Sequence, residues 1–383
     1  MNTGDYNLIK SLNRKIILEK MIANKCISRA QLSKDTGLNK ATVSTQIAQL
    51  LKEDLVLEIR LDASSGGRKP ILLSLNAAAG YVIGIELDRD HMHCILTDLK
   101  GDIQRRAYVA IDTSSFEHTK RTLKHKIYEM IAIMPHSQYE LVGIGIGIHG
   151  IVDKDGKIAF AIHSNWKDVD LKNEMERTFK VPVWVDNNTN LCAYAEKTFS
   201  VDDKNLLCIT ASSGIGLGII IDNVVFKGLN GFAGEVGHMI IREDGKKCSC
   251  GNSGCWELYA SEKAFLEEIA VQKKVNQCSI QDVKAWIAAK DATTLKQLEI
   301  FSVDLSIGIN NIINAFNPET IIVNSEIIAL YPEVITQIKK ALSSRMNDYR
   351  RIVCSNLGKD ACILGACAIA ITHFLKISDL KLI

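Results

Sequence analysis

The chain has 383 residues, of which 47% are hydrophobic and 23% charged, as is ordinary for globular domains. This length suggests two or three domains, and we expect no membrane span, because no apolar run approaches the roughly 18 residues that one needs. The polar N-terminus lacks the apolar core of a signal peptide. Eleven cysteines in such a chain indicate reduced thiols, which predicts a cytoplasmic protein.

The net charge of +2 is unevenly distributed along the chain. Residues 1–70 contain 12 Lys and Arg against 7 Asp and Glu, whereas the remaining residues contain 34 against 37. A basic N-terminal segment on a slightly acidic body suggests that the N-terminal segment contacts nucleic acid. A solvated charged surface would have the same composition, so the charge alone does not decide.

The N-terminal segment has the pattern of a helix-turn-helix. Ser28 and Gln31 have the spacing of a capping box, in which Gln31 reaches back to the cap. Gly37 supplies the turn after the second helix, and Asn39 caps the third. Two helices joined by a short turn with glycine form the DNA-binding unit. The predicted helices cover residues 8–22, 29–36 and 40–52.

The third helix offers short polar side chains on the face opposite its apolar residues. Such donors and acceptors suit the edges of bases in a major groove, although they would equally suit solvent. The complete pattern of caps and turn favours DNA binding. The predicted DNA contacts on the helices are Arg29, Lys40, Thr42, Ser44 and Thr45.

A wing is predicted after the third helix. Residues 55–61 and 71–75 have the composition of strands, and the Gly-rich segment between them carries Arg68 and Lys69. Such a hairpin can contact phosphates or enter a minor groove, whereas a flexible linker is the alternative. We therefore expect a winged helix-turn-helix domain over residues 1–62, followed by wing and linker over 63–78.

The rest of the chain, residues 79–383, predicts an α/β body because strand and helix patterns alternate. The predicted strands cover residues 81–86, 93–97, 103–109, 141–148, 183–185, 206–210 and 218–221. The predicted helices cover 117–133, a segment that opens at 186–190 and ends at 195, then 295–315 and 363–374.

Residues 234–257 contain a candidate metal loop, 238–255. Its glycines occupy places where a tight loop needs a positive φ, and thiolates with an imidazole suit a closed tetrahedral Zn²⁺ site. Two carboxylates, Glu235 and Glu257, bracket the loop and are free to accept hydrogen bonds from another group. Buried, reduced cysteines are the alternative. The predicted ligands of a structural Zn²⁺ are His238, Cys248, Cys250 and Cys255.

The Gly-Glu-Val-Gly-His and Cys-Ser-Cys-Gly-Asn-Ser-Gly-Cys-Trp-Glu motifs, together with the N-terminal head, resemble the ROK family of repressors and sugar kinases. The resemblance is strongest to its xylose-responsive repressors. It implies a two-lobed, actin-like (ribonuclease H-like) fold, a zinc beside a sugar site between the lobes, and a homodimer or dimer of dimers. The sugar contacts that it implies are Asn165, Asn187, Asn188, Glu235, His238 and Glu257.

Kinases of this family have phosphoryl-transfer motifs from which this chain departs. The segment 86–90 lacks the glycines of the phosphate turn and carries carboxylates that would repel a triphosphate. Asn188 replaces the catalytic Asp and cannot accept a proton, while Asn324-Ser325 replaces a Gly-Gly pair. We therefore expect no enzyme activity. His149 stands where the family often has Pro, and its role is left open.

These features together predict a transcriptional repressor that binds a palindromic operator and is released by a monosaccharide. Xylose is expected as the effector from the resemblance alone, and glucose, N-acetylglucosamine or a phosphosugar are alternatives. A sugar kinase with an added DNA-binding head is the enzymatic alternative. Sugar binding is expected to close the lobes and thereby weaken the operator complex.

Overall fold

The computed structural model describes residues 3–59, 71–161 and 166–383. The chain divides into two compact units. Unit 1 comprises Met1–Asn188 and Cys362–Ile383, and unit 2 comprises Thr189–Ala361. Unit 1 thus contains the N-terminal head together with the first part of the body, and the boundary between the units falls inside the segment 79–383.

The head contains three helices and a small antiparallel sheet with strand order β1-β3-β2. Asn39 caps the third helix, because its Oδ1 accepts from the backbone N of Thr42 at 2.8 Å. Gly37 has a φ of +71° and ends the second helix, so both expected signals are confirmed. The elements are α1 (Thr3–Ala23), β1 (Ile27–Ser28), α2 (Arg29–Thr36), α3 (Lys40–Lys52), β2 (Val56–Ile59) and β3 (Leu72–Leu75).

Two details of the head differ from expectation. Ser28 caps α2 by accepting a hydrogen bond from the backbone N of Gln31 at 3.1 Å. The prediction that the side chain of Gln31 reaches back to this cap is wrong. Its Nε2 instead donates to Asp35 one turn later in the helix. The short strand β1 was not expected, because it is a two-residue segment that pairs only with β3, far along the chain.

Unit 1 is built on a five-stranded sheet with order β11-β7-β4-β5-β6. Strands β4, β7 and β11 are parallel, whereas β4, β5 and β6 are antiparallel neighbours. The elements after the head are β4 (Tyr81–Leu87), β5 (His91–Asp98), β6 (Ile103–Ala110), α4 (Phe116–Ala132), β7 (Leu141–Ile148), β8 (Ile151–Val152), β9 (Ile158–Ala161), β10 (Trp166–Val169), α5 (Leu171–Phe179) and β11 (Val183–Asn187), with α13 (Ala361–Leu375) returning at the end of the chain.

Alternate glycines in β7 create a flat face on this sheet. The isoleucines between them, Ile144 and Ile146, are fully buried in the core of unit 1, since successive side chains of a strand point to opposite faces. A Cβ at Gly145 would lie 2.0 Å from the backbone oxygen of Ala366 in α13. The glycines therefore allow backbone contact between α13 and the sheet. The stretch Gly358–Leu375 is long and apolar enough to cross a membrane, but 67% of it is buried, as in a core helix.

Unit 2 repeats the same strand arrangement in a second five-stranded sheet, of order β14-β13-β12-β15-β16. Its first three strands are antiparallel neighbours and the last two run parallel to β12. The elements are α6 (Asn188–Phe199), β12 (Leu206–Ala211), β13 (Ile215–Ile221), β14 (Val224–Val225), α7 (Glu257–Ala260), α8 (Glu262–Lys273), α9 (Ile280–Ala288), α10 (Ala292–Phe316), β15 (Thr320–Asn324), α11 (Glu326–Leu330), α12 (Glu333–Ala341) and β16 (Arg351–Cys354). The helices α10 and α12 cover part of its apolar core.

Candidate functional site

The loop between β14 and α7 brings together the four predicted metal ligands. One donor atom from each of His238, Cys248, Cys250 and Cys255 lies within 4.8 Å of all the others. Gly251 in this loop has a φ of +100°, so the chain can turn sharply between the cysteines. The loop is therefore shaped to point three thiols and one imidazole at a common centre.

Two distances between donor atoms match those expected around a tetrahedral ion. Cys250 Sγ lies 3.7 Å from Cys255 Sγ, and Cys248 Sγ lies 3.7 Å from His238 Nδ1. Zn–S bonds of about 2.3 Å at tetrahedral angles place sulfurs roughly 3.8 Å apart, and a Zn–N bond of about 2.0 Å places nitrogen roughly 3.5 Å from sulfur. The residues thus form a cluster that could hold a metal ion.

Burial of the Cys248 and Cys255 thiols disfavours their thiolate forms, whereas a backbone hydrogen bond from Asn252 lowers the pKa of the exposed Cys250. Desolvation, together with hydrogen bonds that the Cys255 thiol donates to the neighbouring sulfurs, raises the pKa of Cys255 to about 12. Desolvation also raises the pKa of Cys248. A cation at the centre would reverse this preference, because a coordinating thiol loses its proton to the metal.

Two of the predicted sugar contacts, Glu235 and Glu257, flank the same histidine. Glu257 Oε1 lies 3.3 Å from His238 Nδ1 and accepts from Cys248 Sγ at 3.2 Å. Glu235 Oε2 lies 3.8 Å from His238 Nε2, on the other side of the ring. Desolvation raises the pKa of Glu235, although its electrostatic interaction with the neighbouring His238 opposes the shift. Unit 2 therefore brings three of the predicted sugar residues together beside the metal ligands.

Two other predicted sugar residues, Asn187 and Asn188, belong to unit 1. Asn187 ends β11, and its Nδ2 donates to the backbone oxygen of Gly150 at 2.7 Å. Asn188 follows directly, and its Nδ2 lies 3.4 Å from Nδ1 of His149. Asn165 lies outside the described residues. The half-buried amide of Asn188 can both donate and accept hydrogen bonds.

His149 has partners that the sequence did not indicate. Its Nε2 lies 3.3 Å from Oε1 of Glu86, and its Nδ1 lies 3.9 Å from Oδ1 of Asp88. A small pocket opens beside this ring, and it lies entirely within unit 1. Its lining residues are Leu87, Asp88, Arg89, Thr113, Ile148, His149, Ala161 and Trp166.

The head presents α3 as a candidate nucleic-acid interface. Lys40, Ser44 and Thr45 are exposed and Thr42 is half-buried, whereas Val43, Ile47 and Leu50 are fully buried on the opposite side. The predicted polar and apolar faces of the helix are therefore present.

Three of the predicted DNA-contacting residues, Arg29, Arg68 and Lys69, do not belong to α3. Arg29 forms an ion pair with Glu58 of β2 at 2.8 Å, so its guanidinium has an intramolecular partner in the free protein. The predicted wing residues Arg68 and Lys69 lie outside the described residues.

Comparison with known proteins defines the class of this two-unit fold. The chain matches the ROK family over residues 82–373, and therefore belongs to it. A ROK family transcriptional regulator, described as a homologue of the Escherichia coli MLC protein, superposes with a TM-score of 0.81 at 28% identity, covering 97% of this chain and 98% of that one. The expected fold class is confirmed.

Two further relatives, a regulator and a kinase, differ in their identity to this chain and in how much of it they cover. The xylose repressor of Bacillus subtilis is 44% identical over 382 residues, which are 98% of this chain and 99% of the repressor. A ROK family glucokinase from Streptomyces griseus, solved with glucose and AMPPNP, is 24% identical with a TM-score of 0.68 and covers only 76% of this chain. The kinase likeness shows the fold alone, whereas the repressor likeness extends through the head.

Proposed function

We propose that this protein is a transcriptional repressor that binds operator DNA through its head and is released by xylose. The observation that carries the proposal is the 44% identity to the Bacillus subtilis xylose repressor across 98% of this chain, head and body included. The exposed polar residues of α3 support it from the structure, because a recognition helix presents such residues to base edges.

The DNA contacts divide by chemistry. Lys40 carries a charge suited to a phosphate, and Ser44 and Thr45 carry short hydroxyls suited to base edges. Thr45 Oγ1 also donates to the backbone oxygen of Ala41 at 3.0 Å, which leaves its lone pairs as acceptors. We expect two copies of the head, supplied by a homodimer, to occupy half-sites about one helical turn apart.

The proposed effector contacts in unit 1 are Asn187 and Asn188, to which the sequence pattern adds Asn165. Those in unit 2 are Glu235, His238 and Glu257. Amides and carboxylates of this kind suit a neutral, polyhydroxylated ligand, because each sugar hydroxyl both donates and accepts. We also propose that Zn²⁺ occupies the cluster of three cysteines and His238, where it would hold the loop in place. Zinc loss should then weaken effector binding, since His238 serves both groups.

We propose that this protein does not catalyse phosphoryl transfer to a sugar. Asn188 offers an amide where a kinase needs a base, and an amide cannot take a proton from a sugar hydroxyl. Glu86 and Asp88 lie within reach of His149 at the ends of the parallel strands, and their negative charge opposes a bound triphosphate.

The proposal is tested by fluorescence polarisation with an operator fragment taken from upstream of the chain's own coding region. We expect xylose to weaken the complex about 5- to 150-fold, which corresponds to a coupling of about 1–3 kcal/mol per site. Glucose, N-acetylglucosamine and xylose phosphate serve as alternative effectors. Unchanged operator affinity at saturating xylose would reject the proposal, and ATP turnover stimulated by a sugar would support the kinase alternative instead.

A further inference from the structure

Three polar side chains meet at the carboxyl ends of adjacent parallel strands in unit 1. Glu86 lies near the end of β4, His149 follows β7, and Asn188 follows β11. The imidazole lies between the other two, with Nε2 3.3 Å from Oε1 of Glu86 and Nδ1 3.4 Å from the amide nitrogen Nδ2 of Asn188. A side-chain amide has a donor end and an acceptor end, so its neighbour determines which end faces outward.

We propose that His149 is a positioning residue that sets which end of the Asn188 amide faces the effector. This inference rests on the proposed function of Asn188 as an effector contact. A doubly protonated imidazole donates from both nitrogens, so Nε2 donates to Glu86 and Nδ1 donates to the amide oxygen of Asn188, leaving the NH₂ group to face the ligand. A neutral ring that keeps its proton on Nε2 accepts at Nδ1 from the NH₂ group, and the amide oxygen then faces the ligand.

The charges around the ring favour its protonated form. Burial by itself lowers the pKa of His149, but the hydrogen bond to Glu86 and the charges of Asp88 and Glu86 outweigh it, so the pKa is raised above its ordinary value of 6.5. The other charged groups near the cluster are Arg89, which lines the same pocket, and His91, whose Nε2 lies 3.6 Å from Asp88. In the structure the amide nitrogen of Asn188 faces Nδ1, which is the arrangement of the neutral ring. Protonation of His149, which the raised pKa favours, would turn the amide oxygen toward Nδ1 and the NH₂ group outward.

A dependence of effector affinity on pH follows. If the effector is bound by the NH₂ group, it binds the protonated state of His149 better than the neutral state. Its affinity should therefore fall as the pH rises through the pKa of His149. By thermodynamic reciprocity the bound effector must in turn raise that pKa.

The test combines NMR titration of the histidine ring nitrogens with calorimetric titration of xylose from about pH 6 to about pH 9, the range around a raised histidine pKa. We expect the side-chain amide signals of Asn188 to titrate with the pKa of His149, and saturating xylose to raise that pKa. Glu86→Gln keeps the hydrogen-bond acceptor but removes the charge. It should move the His149 titration and the midpoint of the affinity profile to lower pH by the same amount.

Asp90→Asn is the matched control, because it removes a carboxylate that pairs with His91 at 2.7 Å. It should leave both midpoints unchanged, and both variants should bind operator normally without sugar. His149→Gln should abolish the pH dependence of xylose binding. If the side-chain amide signals of Asn188 do not shift as His149 titrates, the inference is overturned. If the wild-type protein binds no sugar, the proposed function fails, and the NMR titration alone decides the role of His149.

Discussion

Replacing Gly308 by alanine tests the packing that supports the metal loop. A Cβ at Gly308 in α10 would lie 2.1 Å from Cε2 and 2.3 Å from Cδ2 of Trp256. Trp256 is fully buried, directly follows the ligand Cys255, and donates Nε1 to the backbone oxygen of Asp304 at 2.9 Å. These two atoms form the fused bond of the indole, so the ring cannot yield at a flexible end, and either the whole ring or the helix must move.

The magnitude follows from three opposing effects. Alanine is preferred over glycine inside a helix by about 0.8–1 kcal/mol, which favours the variant. Overpacking of a core costs about 1–3 kcal/mol, and contacts this short fall in the upper part of that range. A displaced indole also loses its hydrogen bond, at about 1 kcal/mol. The expected net destabilisation is therefore about 2–3 kcal/mol.

The assay is urea denaturation followed by tryptophan fluorescence, together with the zinc content of each purified variant. Asn314→Ala is the matched control, because residue 314 is exposed on the same helix and alanine there gains helix propensity without a clash. We expect Gly308→Ala to unfold at lower urea than the wild type and to retain less zinc. A midpoint at or above that of the wild type would refute the packing argument.

Three further predictions address the metal, the DNA and the acid side of the stability curve. Cys250→Ser removes one donor of the four-atom cluster, so zinc per chain after dialysis should fall well below that of Cys278→Ser; equal contents would contradict the ligand assignment. Lys40→Ala should weaken operator binding at every sequence and reduce the slope of log affinity against log salt by about 1, and an unchanged slope would argue against a phosphate contact. The hydrogen bond from Lys273, with others from the cap, lowers the pKa of Asp291 to about 2. The stability gained from this depressed pKa is present above the ordinary value of 3.8 and lost as the pH falls toward 2. The difference in melting temperature between the wild type and Asp291→Asn should therefore shrink as the pH falls over that interval. A difference that stays constant would contradict this prediction.

The parts of the fold that the sequence predicted well depend on local interactions. Asn39 and Gly37 act on residues two or three positions away, so the short-range pattern alone determines the turn of the head. The proposed metal ligands are also close in the chain, and the loop glycines indicate the turns between the cysteines. The expected strand at 141–148 agrees with β7 to the residue, because its alternating isoleucine and glycine pattern has the period of a strand.

The cluster around His149 could not be predicted in the same way. Glu86, His149 and Asn188 are separated by 63 and 39 residues along the chain. Their proximity depends on the order β11-β7-β4 and on the register of those strands. No local pattern encodes that order. The sequence held one indication of this cluster, which is that all three residues lie at or just after the carboxyl ends of strands. The carboxyl ends of parallel strands meet at one edge of a sheet.

The same sheet connects the proposed effector residues Asn187 and Asn188 to the head within unit 1. Trp184 of β11 stacks on His373 of α13 at a ring distance of 4.9 Å, and Phe374 packs against Tyr139 at 5.1 Å. The hydroxyl of Tyr139 donates to the backbone oxygen of Glu53, the C-cap of α3, at 2.9 Å.

These contacts form a continuous packed path from β11 through α13 to the head. The glycine face of β7 places backbone against backbone at α13, and close-packed elements of this kind shift as units because they cannot deform continuously. A second link lies beyond α13, where Glu19 of α1 accepts from the backbone N of Ser378 at 2.8 Å. Movement of α13 would thus act on α1 and α3 together.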